Sequence, residues 1–344
     1  MGSVIEAVAR FPRAPLLTWA TPLELQPRLS ERLGIKLLVK RDDLTGLAFG
    51  GNKVRQLEFY FGKAQAASAD TVLITGAVQS NYVRVAAAAA ARFGMACHIQ
   101  LEERVPDVDA VYRTSGNVLL DHLLGATLHS YPVGEDEEGA DRRLAEIAAD
   151  LTSQGKRPYI IPLGANHPPL GALGYIRCAA ELLEQMHGAD RLVLGSGSGH
   201  THAGLLFGLR ALGWKGPVTG ICVRRAATLQ AQRVESLCRR IAEMLEVANP
   251  VTPDDIDLRD DVLSPGYGRL NDAVADAMRD SARLDGLLLD PVYTARAMAG
   301  LFALAADGRV AAGSTVIFLH TGGLPAIFGY ARDLHLKVMG RAPI

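Results

Sequence analysis

The stretch Leu192-Val-Leu-Gly-Ser-Gly-Ser-Gly-His-Thr-His202 passes from an apolar run, through alternating glycine and serine, into a helical pattern. A strand, a glycine loop and a helix in that order make the joint of a parallel βαβ unit. Glycine admits positive φ and lets a backbone come close to a ligand. Loop amides backed by a helix N-terminus then form a site for a compact anion such as a phosphate. The same punctuation recurs along the chain. Thr71-Val-Leu-Ile-Thr75 reads as a buried strand, followed by a helix over about 81–93, a strand over 96–101, a helix near 116–124 and a strand around 126–130. Residues 158–162, 191–195, 218–223 and 315–320 continue the series. Strands separated by helices of this length predict an α/β fold of doubly wound, open parallel sheets.

At roughly 100–200 residues per domain, 344 residues allow two domains. Hydrophobic residues make up 49% and charged residues 21%, which excludes wholesale disorder. Lys plus Arg number 36 against 37 for Asp plus Glu, so a net charge of −1 offers no broad attraction for nucleic acid or an anionic membrane. Apolar runs such as 85–91 fall far short of the ~20 residues that span a bilayer. The opening residues lack the basic, apolar and small-residue regions of a signal peptide. Cys97, Cys178, Cys222 and Cys238 show neither metal nor disulfide spacing, which points to a reducing, cytoplasmic location.

Five constellations could carry chemistry. Lys40-Arg-Asp-Asp43 and then Phe49-Gly-Gly-Asn-Lys-Val-Arg55 place Lys53 at the start of a helix, where the dipole field lowers an amine's pKa. Thr75-Gly-Ala-Val-Gln-Ser-Asn81 leaves Ser80 and Asn81 at a helix N-terminus, as a cap, a carboxylate site or both. The loop at 195–199 is the third. A dinucleotide fingerprint there would need glycine where His200 stands, and no acidic residue at 217–225 could hold a ribose. Arg224 and Arg225 would suit a 2′-phosphate, which keeps an NADP-dependent oxidoreductase as a rival. His200 and His202, two apart, do not share a helix face as metal ligands would. The fourth pairs Ser264-Pro-Gly-Tyr-Gly268 with Asp290-Pro-Val-Tyr-Thr294, whose tyrosines could stack on a planar ligand or move a proton. The fifth, Val316-Ile-Phe-Leu-His-Thr-Gly-Gly323, sets Thr321 at the carboxyl end of a strand, where open α/β sheets bind ligands.

Together and in this order, the motifs resemble the fold-type II pyridoxal 5′-phosphate enzymes, tryptophan synthase β-like in fold. They are most similar to the branch holding D-cysteine desulfhydrase, L-cysteate sulfo-lyase and 1-aminocyclopropane-1-carboxylate deaminase. The resemblance runs from about Phe11 through Tyr330. It implies that Lys53 is the Schiff-base lysine, with Asn52 beside the cofactor, and that Ser80, Asn81 and Tyr82 meet the substrate, Asn81 also touching the cofactor edge. Ser196, Gly197, Ser198, Gly199, His200 and Thr201 would hold the phosphate, and Thr321 the pyridine nitrogen. Tyr293 would stack near the pyridine ring and serve catalysis, with Tyr267 lining the pocket. Composition alone would cut the chain near 165, where Pro and Gly cluster. The resemblance implies instead a large domain of 1–54 and 165–344, a small inserted domain of 55–164, the cofactor in the cleft between, and a homodimer.

Deaminases of the cyclopropane substrate carry Glu and Leu where this chain has Thr294 and Thr321, so the resemblance favours expulsion of a β leaving group over ring opening. The expected activity is β-elimination from a small sulfur amino acid, with D-cysteine first and L-cysteate second. Tyr82 stands where the branch usually has His. Tyr82 and Asn166 are the expected donors to a sulfonate, and Arg296 reads as a surface residue without a role. A cofactor-binding protein without turnover is the third reading.

Overall fold

The computed structural model describes residues 2–164 and 167–338. Asn166 lies outside the described residues. Ten strands form two sheets: β1 (Leu23–Leu25), β2 (Lys36–Lys40), β3 (Thr71–Ala77), β4 (Ala96–Glu102), β5 (Thr127–Tyr131), β6 (Pro158–Ile161), β7 (Arg191–Ser196), β8 (Val218–Cys222), β9 (Ile256–Arg259) and β10 (Thr315–Leu319). One sheet has the order β1-β2-β10-β7-β8-β9 and the other β5-β4-β3-β6. Every pairing is parallel except β1 with β2. The first sheet thus joins strands from both ends of the chain, and the second uses residues 71–161 only.

Helices cover both faces of the first sheet. Leu192, Leu194, Ile317 and Leu319 join one apolar cluster, while Val193, Val316 and Phe318 join another, as the period of two along a strand requires. All seven residues of β3 are buried. The sequence pattern missed β1 and β9. Each is a short edge strand whose residues are partly or fully exposed, so neither carries a strong apolar signal.

The helix Lys53–Ala66 is held to the helix Leu170–Gln185 by a close backbone approach. A Cβ on Gly174 would lie 2.2 Å from the Arg55 carbonyl oxygen. Beneath that contact sits a buried ionic network. Arg55 donates two bonds to Asp42, at 2.9 Å each, and two more to Glu181, also at 2.9 Å. Asp42 also accepts from Thr21 and Tyr175, while the ammonium of the fully buried Lys40 meets Glu181 and Gln185. Breaking such a network leaves an uncompensated buried charge, so it sets one geometry for the turn that precedes Lys53. The loops after β2, β3, β7 and β10 all converge on one cavity.

Candidate functional site

Lys53 is the first residue of its helix and lines this cavity. Its Nζ donates to Gln56 Oε1 at 3.2 Å and stands 5.0 Å from the centre of the Tyr82 ring. Among the described residues it has no carboxylate partner. Burial of the amine pushes its pKa down to about 8, so desolvation supplies the effect that the sequence attributes to the helix dipole.

Asn52 ties three of the motifs together. Its N–H donates to the Thr321 carbonyl at 3.0 Å, and its Nδ2 donates to Thr201 Oγ1 at 2.8 Å. Gln56 Nε2 donates to the same Thr201 oxygen, also at 2.8 Å. With two donors already on that oxygen, the Thr201 proton is left to donate outward. Gly199, at φ +93°, begins the helix His200–Ala211, and a Cβ there would lie 2.7 Å from Leu237 Cδ1. Arg225 Nη1 binds the Gly197 carbonyl at 3.3 Å, and Arg233 Nε binds that of Ser198 at 2.8 Å. Trans peptide geometry therefore turns the N–H groups of Ser198 and Gly199 away from both arginines.

A Cβ on Gly197 would come within 3.3 Å of Tyr293 Cε1, so only glycine leaves the space between loop and ring open. Amides, a hydroxyl proton and a glycine cradle fit a phosphate, and an amine with a pKa near 8 fits a carbonyl carbon. The residues present therefore fit a pyridoxal phosphate. Ser196 lines the cavity but its hydroxyl is taken by Gln230 Nε2 at 2.9 Å. His200 is not part of the cavity wall. Its Nδ1 faces Ser198 Oγ at 3.4 Å, while His202 does line the cavity.

Ser80 caps the helix Asn81–Arg92, accepting the Tyr82 N–H at 3.2 Å. Asn81 is oriented by Asn117, whose Nδ2 donates to Asn81 Oδ1 at 3.0 Å and to the Gln79 carbonyl at 3.1 Å. Ser80, Asn81 and Tyr82 all border the cavity beside Lys53. On another wall the Tyr267 and Tyr293 hydroxyls are 2.9 Å apart, with the rings edge-to-face at 6.1 Å. Burial holds the Tyr293 hydroxyl well above its ordinary pKa, so this phenol keeps its proton.

Two sequence expectations change here. Thr294 does not reach the cavity: its hydroxyl binds Asp290 Oδ1 at 2.8 Å, and the same carboxylate accepts the N–H groups of Val292, Tyr293 and Thr294. Arg296 is fully buried, not a surface residue. Its guanidinium binds the carbonyls of Val262, Leu263, Gly266 and Arg269, which cages the turn that presents Tyr267. Sequence reading also missed Gln56 and Arg104. Arg104 follows the carboxyl end of β4, next to β3, and that position is the signal that could have found it. Arg224 is held by Glu135 and Glu137, and Arg225 by Glu137, which leaves neither as the free 2′-phosphate site that the NADP reading requires.

Two largely parallel sheets whose strand ends deliver a lysine of lowered pKa and a glycine phosphate cradle to one cavity define a fold-type II cofactor enzyme. The chain belongs to the family of pyridoxal-phosphate dependent enzymes, whose model matches residues 15–322, and its cofactor is pyridoxal 5′-phosphate. The crystal structure of an ACC deaminase homologue is similar, at 36% identity and a TM-score of 0.87 over 97% of this chain and 98% of that one. The processed form of threonine deaminase isoform 2 from Solanum lycopersicum is 16% identical, with a TM-score of 0.63, over 93% and 88%. O-ureido-L-serine synthase is 18% identical, with a TM-score of 0.65, over 96% and 95%. At those last identities the likeness is one of fold. Among the described residues, no helix is long and apolar enough to cross a membrane.

Proposed function

We propose that the protein is a β-eliminating lyase of a small β-sulfur amino acid. D-Cysteine and water would give pyruvate, ammonia and sulfide; L-cysteate, the alternative, would give pyruvate, ammonia and sulfite. The observation that carries the reading is the Lys53 amine on the wall of a cavity that the Ser80–Tyr82 segment and the tyrosine pair also line, 5.0 Å from the Tyr82 ring. When bound, pyridoxal phosphate supplies an electron sink for the pair left at the α-carbon. The chain's own residues do the rest. The amides of Ser198 and Gly199 and the Thr201 hydroxyl would hold the phosphate, and Thr321 would offer its hydroxyl to the pyridine nitrogen. Ser80 and Asn81, at a helix N-terminus, orient the α-carboxylate. Lys53, with a pKa near 8, suits removal of the α-proton. Burial keeps the Tyr293 hydroxyl protonated, so it is not free to take the α-proton, and its contact with Tyr267 places the pair to offer a hydrogen bond to the departing group. Thr321 still weighs against ring opening, since a hydroxyl leaves the pyridine nitrogen unprotonated, whereas Thr294, bound to Asp290, no longer bears on the choice.

The same proposal takes residues 1–54 with 165–344 as the cofactor-bearing part and 55–164 as the smaller part, a homodimer as the assembly and the cytoplasm as the location. The division into two sheets supports the first, and four buried free thiols suit the last. Sedimentation velocity tests the dimer. The loaded protein is to be assayed for pyruvate with D-cysteine, L-cysteine and L-cysteate, beside a Lys53→Ala variant. Pyruvate with the wild type and none with the variant, together with loss of the visible absorbance band, is expected. Full turnover by Lys53→Ala would overturn the assignment.

A further inference from the structure

The cavity wall carries three cationic side chains, Lys53, Arg104 and Arg224, and among the described residues no Asp or Glu. Two anions of the proposed reaction already have donors. The phosphate would meet loop amides and Thr201, and the α-carboxylate would meet Ser80 and Asn81 at the start of a 12-residue helix. Arg224 has its own partners, with Nη2 2.7 Å from Glu135 and Nη1 3.0 Å from Glu137. Arg104 is different. Its Nε and Nη2 both donate to a single oxygen, Glu102 Oε2, at 2.9 and 2.6 Å. The other Glu102 oxygen accepts from Thr75 at 2.7 Å. The guanidinium is thus fixed from one side, and its Nη1 takes no part in that pair.

Arg104 stands beside the tyrosine pair, and it borders both this cavity and the outer groove beyond Tyr267. One of the two tyrosine protons is shared in the 2.9 Å contact between the hydroxyls, and the second is left to donate. A positioned guanidinium edge next to a phenol proton is a receptor for a third anion.

We propose that Arg104 is a specificity-determining residue that reads a second acid group on the substrate's β side, so that the site takes amino acids with an anionic β substituent, a sulfonate above all. This rests on the lyase reading and, between its two substrates, puts cysteate ahead of D-cysteine. Removing a charge-assisted hydrogen bond of this kind lowers affinity by roughly 10- to 100-fold.

The experiment uses the pyridoxal-loaded protein and its Arg104→Met and Arg104→Lys variants. Pyruvate formation is followed with both enantiomers of cysteate and of β-chloroalanine, whose leaving atom carries no charge while bound. Calorimetry measures binding of cysteate, aspartate and alanine apart from turnover. The expected result is a roughly 10- to 100-fold fall in kcat/KM for cysteate in Arg104→Met, carried by KM, with β-chloroalanine changed less than about threefold and partial rescue by Lys. Should Arg104→Met fail to fold because Glu102 is left unpaired, the double variant Glu102→Gln/Arg104→Met serves in its place. An equal fall for both substrates, or cysteate binding no tighter than alanine in the wild type, would overturn the assignment while β-elimination from β-chloroalanine still stood. Preferential binding of cysteate and aspartate that is lost in Arg104→Met, with no pyruvate from any compound, would keep Arg104 in this role and remove the lyase reading instead.

Discussion

An amine that titrates near pH 8 is a nucleophile over the range in which most cells live, and Lys53 owes this to its enclosure among Gln56, Tyr82 and the cavity wall. Capture of pyridoxal phosphate by cofactor-free protein should therefore quicken about tenfold per pH unit below 8 and level off above it, as stopped-flow absorbance would record. The same shift bears on stability. A lysine whose pKa is lower in the folded chain than its ordinary 10.5 destabilises the fold fully below pH 8, and the effect disappears as pH rises towards 10.5. Cofactor-free Lys53→Met should accordingly melt above the wild type at pH 7 and alongside it near pH 10.5. A lower melting temperature for the variant at pH 7 would contradict that burial.

At the scale of elements, the site depends on turns held from behind. Gly199 opens its helix in the left-handed region, where an L side chain costs about 1–2 kcal/mol even before it meets Leu237. Gly199→Ala should weaken pyridoxal phosphate binding by at least about tenfold, measured by equilibrium titration. Arg296, on the helix Thr294–Ala306, binds four carbonyls of the segment that carries Tyr267. Arg296→Lys cannot reach all four with one ammonium. Hydrogen exchange over residues 262–269 should quicken and kcat should fall, while cofactor binding changes little.

Across the whole molecule, Glu137 joins the two sheets' surroundings. It begins the helix Glu137–Ser153 near the second sheet, yet its carboxylate meets Arg224, Arg225 and Arg233 around the glycine loop of the first. Those arginines hold its carboxyl below the usual range. A depressed carboxylate pKa gives stability that is present above its unfolded value and lost as pH falls through the folded one. Glu137→Gln should lower stability by about 1–2 kcal/mol in urea unfolding at pH 7, and by less in strong acid. The network under the Lys53 helix is more demanding. Asp42→Asn removes one of the two carboxylates that Arg55 binds, and a broken buried pair costs about 3–5 kcal/mol.

Strand–loop–helix joints, the apolar runs of β3, β7, β8 and β10, and glycine where the backbone must turn were all legible in the linear chain, because each is a local demand of backbone geometry. So were Lys53, the Ser80–Asn81 cap and the tyrosine motifs, since each lies at the end of an element. Tertiary structure alone decided the rest. Burial lowers Lys53, Asp290 engages Thr294, the turn at 262–269 encloses Arg296, and convergence of distant loops brings Arg104 to the cavity. None of these can be read along the chain, because desolvation and charge pairing depend on which distant atoms displace water around a group, and only the packed fold brings those atoms together.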